Sequence, residues 1–116
     1  MADRGQIVVV DFAVAGMAKK IRPVLIVQSD IYNRKMANTI VAMITTNLAR
    51  VSEPTHYLID ITTAEGSRSG LLFTSVVNCN TLTTVIQDDI LRVLGSLSPA
   101  AMQQIDKCLE AALALP

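Results

Sequence analysis

The chain has 116 residues, of which 51% are apolar, and its ten basic side chains balance ten acidic ones. This size and composition predict one domain spanning residues 1–116, and they exclude disordered, collagen-like and disulfide-dense classes. No apolar run reaches the ~18 to 20 residues that cross a membrane, and no segment has the order of a signal peptide. We therefore expect a cytoplasmic protein whose two cysteines, Cys79 and Cys108, are buried free thiols.

Short runs rich in β-branched residues, bounded by turn-forming residues, predict strands along most of the chain. The predicted strands cover residues 6–12, 21–28, 39–45, 57–61, 75–79 and 82–86. The polar segment 29–38 breaks this pattern and is expected to contain a helical turn. The segments 13–20 and 62–70 contain glycine and are predicted to be loops.

The end of the chain follows a helical pattern instead. Asp88 and Asp89 are expected to begin a short helix that Gly95 ends, because acidic residues favour the first turn and glycine favours the C-cap. Ser98 followed by proline predicts the start of a final helix. Its apolar stripe recurs at spacings of three and four residues, at Met102, Ile105, Leu109 and Leu113. Together these elements predict a mostly β α+β fold, a strongly bent sheet or partly open barrel with a C-terminal helix.

Several kinds of catalytic site are excluded by what the chain lacks. The single histidine, His56, and the two cysteines do not have the spacing of a zinc site, and His56 is expected to make a structural hydrogen bond. No phosphate-binding glycine loop and no nucleophile elbow is present, so we expect no metal and no cofactor. What remains is Arg22 near one strand start and Thr45, Thr46 and Asn47 at another strand's end. These donors suit phosphate, although arginines at strand ends are also common as solvated charges.

Three segments resemble the MazF/PemK family of bacterial toxins. They are Arg4-Gly5-Gln6-Ile7, Ile21-Arg22-Pro23-Val24-Leu25-Ile26-Val27-Gln28 and Ala42-Met43-Ile44-Thr45-Thr46. The similarity runs from about residue 4 to residue 115, with supporting matches at Pro54-Thr55-His56 and Ser75-Val76-Val77. It implies an SH3-like barrel, a homodimer and metal-independent, sequence-selective cleavage of single-stranded RNA. It also implies a cognate antitoxin that blocks the RNA groove.

The resemblance implies roles for single residues. Arg22 matches the family's catalytic arginine and Thr45 its catalytic threonine, in a reaction where the ribose 2′-OH attacks the neighbouring phosphorus and leaves a 2′,3′-cyclic phosphate and a 5′-OH. We predict that RNA is also contacted by a further group of polar residues: Lys19, Lys20, Gln28, Thr46 and Asn47. The two lysines precede Arg22 with only Ile21 between, and their charges would meet the RNA backbone there.

The chain departs from the family in two segments. Residues 16–21 are shorter than the family's usual loop and lack its glutamate, and residues 81–86 keep only a threonine of the family's strand. Two other functions therefore stay open: a relative of the same fold that poisons DNA gyrase, or an inactive protein-interaction module. Gyrase-poisoning relatives use a C-terminal tryptophan, and this chain has no tryptophan.

Overall fold

The computed structural model describes residues 1–13 and 21–116, so most of the loop predicted at residues 13–20 lies outside the described part. Within that part, six antiparallel strands form one sheet in the order β4-β5-β3-β2-β1-β6, which curls into a half-barrel. The strands are β1 (Gln6–Asp11), β2 (Ile21–Ile26), β3 (Asn38–Thr45), β4 (His56–Ile59), β5 (Ser75–Ile86) and β6 (Ile90–Ser96). The helices are α1 (Asp30–Lys35), α2 (Ala64–Ser69) and α3 (Pro99–Leu113). The predicted mostly β fold with a C-terminal helix is confirmed.

The sheet buries apolar side chains on both faces, because neighbouring residues of a strand project to opposite sides. Leu25, Ala42 and Ile44 lie on the face that packs against α3, where Ile105 and Cys108 meet them. The opposite face carries a second buried cluster, made of Ala2, Val8, Val10, Phe12, Val24, Ile26, Val41 and Val85. Strands buried on both faces read as continuous apolar runs, which explains the apolar runs at residues 7–10 of β1 and 23–26 of β2.

The final helix begins where the sequence predicts. The Ser98 hydroxyl accepts a hydrogen bond from the Ala101 backbone N–H at 3.1 Å, and Pro99 occupies the first helical turn. Ala101, Ile105 and Cys108 are its buried residues, at spacings of four and three. Both cysteines are buried free thiols, as expected.

The prediction of a loop at residues 62–70 is wrong, because α2 occupies most of this segment. The Thr63 hydroxyl accepts from the Gly66 N–H at 3.1 Å, and Gly70 ends the helix in the left-handed region with φ +72°. Gly66 is buried where a Cβ atom would lie 2.2 Å from the carbonyl oxygen of Asp60. The glycines and serines that predict a loop instead form or cap a six-residue helix and let it pack closely on neighbouring backbone.

The predicted helix between Asp88 and Gly95 is also wrong. Only a single 3₁₀ turn forms, at Gln87–Asp89, and β6 follows it and pairs with β1. Gly95 is not a helix cap: it lies opposite Ile7 in the sheet, and a Cβ there would be 2.0 Å from the carbonyl oxygen of Arg68 on α2. Glycine is needed at this position because the α2 backbone packs directly on the strand.

A smaller difference concerns the limits of one strand. The predicted strands 75–79 and 82–86 form the single long strand β5, whose pairing with β3 shifts register between Ala42 and Met43. Such an irregularity bends the strand without ending it.

The helical turn expected in residues 29–38 is confirmed as α1. No helix of the described residues is long and apolar enough to cross a membrane.

Candidate active site

Arg22 and Thr45 lie on neighbouring strands. Val24 on β2 pairs with Met43 on β3, and this antiparallel register, continued by two residues, places Arg22 opposite Thr45. On its other side Arg22 faces Val10 of β1. Opposite residues of paired strands project from the same face, so the guanidinium and the hydroxyl share the face that turns away from α3. Both residues are half-buried.

The Thr45 hydroxyl is held by the turn that follows its strand. Its Oγ1 accepts a hydrogen bond from the Asn47 N–H at 3.1 Å, and Asn47 Oδ1 in turn accepts from the Ala49 N–H at 3.0 Å. A hydroxyl that accepts in this way still has its own hydrogen to donate. Thr45 is therefore oriented as a donor for an anionic oxygen.

The two adjacent threonines line different cavities. Thr45 and Asn47 border a polar cavity of about 240 Å³, whereas the exposed Thr46 borders a groove of about 450 Å³. The groove is mainly apolar and lies beside Leu72 and Phe73, which are 81% and 67% exposed. Alternation of side chains along a strand separates the pair in this way.

The structure does not bring Gln28 to Arg22 and Thr45. Gln28 follows the far end of β2, six residues or roughly 20 Å along the strand from Arg22. Its side-chain amide donates to Asn33 Oδ1 at 3.0 Å and to the Asn38 carbonyl at 3.1 Å, so it braces the chain around α1. Lys19 and Lys20 lie outside the described residues.

His56, for which the sequence predicts only a structural hydrogen bond, lines the same cavity as Thr45. The polar cavity is bordered by Thr45, Asn47, Ala49, Arg50, His56 and Asn78. His56 starts β4 opposite Asn78 of β5, and Asn78 lies opposite Met43 of β3, so His56 shares the face of Thr45. The expected structural hydrogen bond of His56 is present, between its Nδ1 and Thr55 Oγ1 at 2.9 Å. Its place beside Thr45 depends on a strand register that the sequence does not reveal.

The two cysteines and the acidic side chains of the described residues do not form a second reactive centre. Burial raises the pKa of the Cys79 thiol to about 12 and also raises that of Cys108, so neither presents a thiolate near neutral pH. Across residues 1–13 and 21–116, no three His, Cys, Asp or Glu side chains lie together as a metal site would require.

Comparison with known proteins places the chain in a family. A model of the PemK-like, MazF-like toxins of type II toxin-antitoxin systems matches residues 3–113. The chain belongs to this toxin family. The toxin is 34% identical over 97 residues to endoribonuclease MazF6 of Mycobacterium tuberculosis, which covers 83% of this chain and 81% of the relative.

Two further proteins extend the similarity. The toxin is 33% identical over 95 residues to endoribonuclease EndoA of Bacillus subtilis, across 82% of this chain and 78% of that one. A solved structure of a mycobacterial endoribonuclease in complex with its cognate antitoxin superposes with a TM-score of 0.82 and 28% identity. That superposition covers 100% of this chain and 98% of the other. The resemblance predicted from the three sequence segments is thereby confirmed.

Proposed function

We propose that this toxin is an endoribonuclease that cleaves single-stranded RNA. The observation that carries the proposal is the β2–β3 register, which sets Arg22 opposite Thr45 when continued by two residues beyond Val24 and Met43. A planar guanidinium can hold two phosphoryl oxygens at once, and the Thr45 hydroxyl supplies a further donor. The names of the relatives as endoribonucleases support the same conclusion.

In the proposed reaction the ribose 2′-oxygen forms a bond to phosphorus while the bond from phosphorus to the 5′-oxygen breaks. The 2′-OH loses its proton, the 5′-oxygen gains one, and a 2′,3′-cyclic phosphate remains. Negative charge grows on the phosphoryl oxygens in the transition state, where preorganised donors are most effective. Arg22 keeps its proton because guanidinium is a very weak acid, so its role is to stabilise this charge rather than to abstract a proton.

The nucleophile and the electrophilic group both belong to the RNA in this reaction. It therefore needs no metal ion, and we propose that cleavage is metal-independent. DNA lacks the 2′-OH and would be bound without being cut. Thr46, Asn47, Lys19 and Lys20 are proposed to contact RNA around the cut site. Gln28 stays a prediction in this role, because its side-chain donors are already used within the fold.

We further propose a homodimer and a cognate antitoxin as protein partners in the cytoplasm. Leu72 and Phe73, exposed beside Ile21, form an apolar surface that a second copy of the chain would cover. Light scattering at micromolar concentration should give twice the mass of the chain, and a monomer would contradict the dimer. The antitoxin complex of the mycobacterial structure supports an inhibitor of the same kind here.

The decisive experiment incubates the purified toxin with a long single-stranded RNA in EDTA and analyses the fragment ends. Discrete fragments ending in 2′,3′-cyclic phosphate and beginning with 5′-OH are expected. Activity that disappears in EDTA and returns with magnesium would overturn metal independence. Intact RNA together with stalled DNA gyrase would indicate the gyrase-poisoning function, and intact RNA with no effect on gyrase would indicate an interaction module.

A further inference from the structure

The residues that line the polar cavity beside Thr45 carry several hydrogen-bond donors that the fold does not use among the described residues. Asn47 Oδ1 accepts from the Ala49 N–H, and Asn78 Oδ1 accepts from the Asn80 N–H at 2.9 Å. The lining residues contribute the Asn47 amide nitrogen, the Arg50 guanidinium and the His56 ring as donors. The two ion pairs among the described residues use Arg4 and Arg34, so Arg50 takes part in neither.

We propose that this cavity binds a backbone phosphate of the RNA next to the one being cleaved, with Arg50 and His56 as its ligands. The inference rests on the proposed ribonuclease function. A phosphodiester offers only acceptors and carries negative charge, which matches a site made of donors, one of them permanently cationic. A nucleobase fits such a site less well than a phosphate does. Most base edges carry donors as well as acceptors, and a donor of the base would then face a donor of the protein.

The spacing of the strands separates this phosphate from the scissile one. β5 lies between β3, which carries Thr45, and β4, which carries His56. Two strand spacings amount to about 10 Å, too far for one phosphate to be held closely by both backbones. Thr45 borders the cavity and also faces Arg22, so the bound RNA would pass from the Arg22–Thr45 pair to the Arg50–His56 pair in one nucleotide step.

The ring of His56 is fixed by a short chain of hydrogen bonds. The Asn80 amide donates to Thr55 Oγ1 at 2.7 Å, and Thr55 Oγ1 lies 2.9 Å from His56 Nδ1. No hydrogen bond within the described residues uses the other ring nitrogen, Nε2. Thr55 is thus a positioning residue that ties down one edge of the ring and leaves the opposite nitrogen for a ligand.

The Arg50 guanidinium supplies the positive charge of the site, and His56 Nε2 supplies a further hydrogen-bonding atom. The other charged residue of this region is Glu53 on the segment before β4, while β5 contributes the neutral Asn78 and Asn80.

The test first maps the cut site in an RNA that the wild-type toxin cleaves. Dissociation constants are then measured with the same RNA after removal of the 2′-OH at that site, so that it is bound but not cut. Arg50→Ala should weaken binding about tenfold and reduce the slope of log affinity against log salt by about 0.7. His56→Gln replaces the ring by an amide that Thr55 does not hold in the same place. It should weaken binding about three- to tenfold, the effect of one lost hydrogen bond.

Lys107→Ala is the matched control for Arg50→Ala, because it removes one positive charge from an exposed position on α3, across the sheet from the cavity. Lys107→Ala should leave the RNA affinity and the salt slope close to their wild-type values. Thermal unfolding checks that His56→Gln is folded, and Arg50→Ala, in an exposed turn, tests the site independently. Wild-type toxin that cleaves no RNA would overturn the proposed function. Cleavage by the wild type together with unchanged affinity in both variants would overturn the phosphate site alone.

Discussion

Glu65 caps the first turn of α3 from a different helix. One carboxylate oxygen accepts the Ser98 N–H at 2.7 Å and the other accepts the Ser98 hydroxyl at 2.5 Å, across 33 residues of chain. The same Ser98 oxygen accepts the Ala101 N–H. In an ordinary capping box the acidic residue comes from the third position of the same helix. Here that acidic residue is on α2, so α2 and α3 are locked together at this point.

Glu65→Ala should lower the free energy of unfolding by about 1 to 3 kcal/mol, because two hydrogen bonds to a charged acceptor are lost and the Ser98 N–H is left without its partner. Urea denaturation at pH 7 measures the change. Glu53→Ala removes the same charge from an exposed turn and should stay within about 0.5 kcal/mol of wild type. Equal stabilities of the two variants would show that the Glu65–Ser98 contact contributes nothing.

Arg22→Ala should lower kcat about 10²- to 10³-fold while the fold persists, since a donor aimed at the developing phosphoryl charge is removed. Arg22→Lys should remain poor because a point charge does not replace the planar fork of guanidinium. Single-turnover cleavage at saturating RNA measures both, with Arg68→Ala on α2 as the charge-matched control. Full activity of Arg22→Lys would contradict bidentate binding of the phosphate.

A comparison of two substitutions isolates the Thr45 hydroxyl. Thr45→Ser keeps the donor and should retain activity within about tenfold, whereas Thr45→Val should lose about 10²-fold in kcat. Valine also removes the acceptor of the Asn47 N–H, so thermal unfolding of each variant must accompany the kinetics. Loss that appears only in KM would assign Thr45 to RNA binding and not to the transition state.

The parts of the fold that the sequence predicts correctly are those with local causes. The apolar, β-branched runs of β1 and β2 predict strands, and α3 carries its own start signal at Ser98 and Pro99. The segment of β6 resembles a helix because its acidic start and Gly95 resemble helix caps. The pairing with β1 that makes it a strand joins residues 80 to 90 positions apart, and no local pattern records such a contact.

The same distinction between local and long-range causes applies to the candidate site. Arg22 and Thr45 stand in segments that resemble the toxin family, so the sequence alone indicates them as candidates. The cavity that holds His56 exists only because β4 pairs with β5 in one particular register, with His56 opposite Asn78. A shift by one residue would turn His56 to the other face of the sheet.

Gly95→Ala should destabilise the toxin by several kcal/mol or prevent folding, because the new Cβ would lie 2.0 Å from the Arg68 carbonyl oxygen. Gly5→Ala is an informative contrast. Gly5 has φ +96°, but the nearest atom to a Cβ there is 3.4 Å away, on the flexible side chain of Met102. It should cost only about 1 to 2 kcal/mol of backbone strain. Denaturation midpoints that rank the two variants in the opposite order would show that α2 does not press on β6.

The Cys79 thiol should make stability fall at high pH. Burial raises its pKa in the folded toxin from about 9 to about 12, so between these values the unfolded chain loses a proton that the folded chain keeps. The contribution is fully present below pH 9 and is lost as pH rises towards 12. By pH 10.5 the loss in the free energy of unfolding is about 2 kcal/mol, because each pH unit above 9 costs about 1.4 kcal/mol.

Urea unfolding of wild type and of Cys79→Ala at pH 8.5 and pH 10.5 measures how far the stability of each protein falls between the two pH values. The cavity left by Cys79→Ala costs the same at both pH values and therefore does not affect this difference. Tyr57 also has a raised pKa and is unchanged in the variant. Cys108 also has a raised pKa but is hydrogen-bonded to Cys79, so Cys108→Ala is measured as a second comparison. Parallel declines in the two proteins would mean that the Cys79 thiol ionises as easily in the folded core as in water.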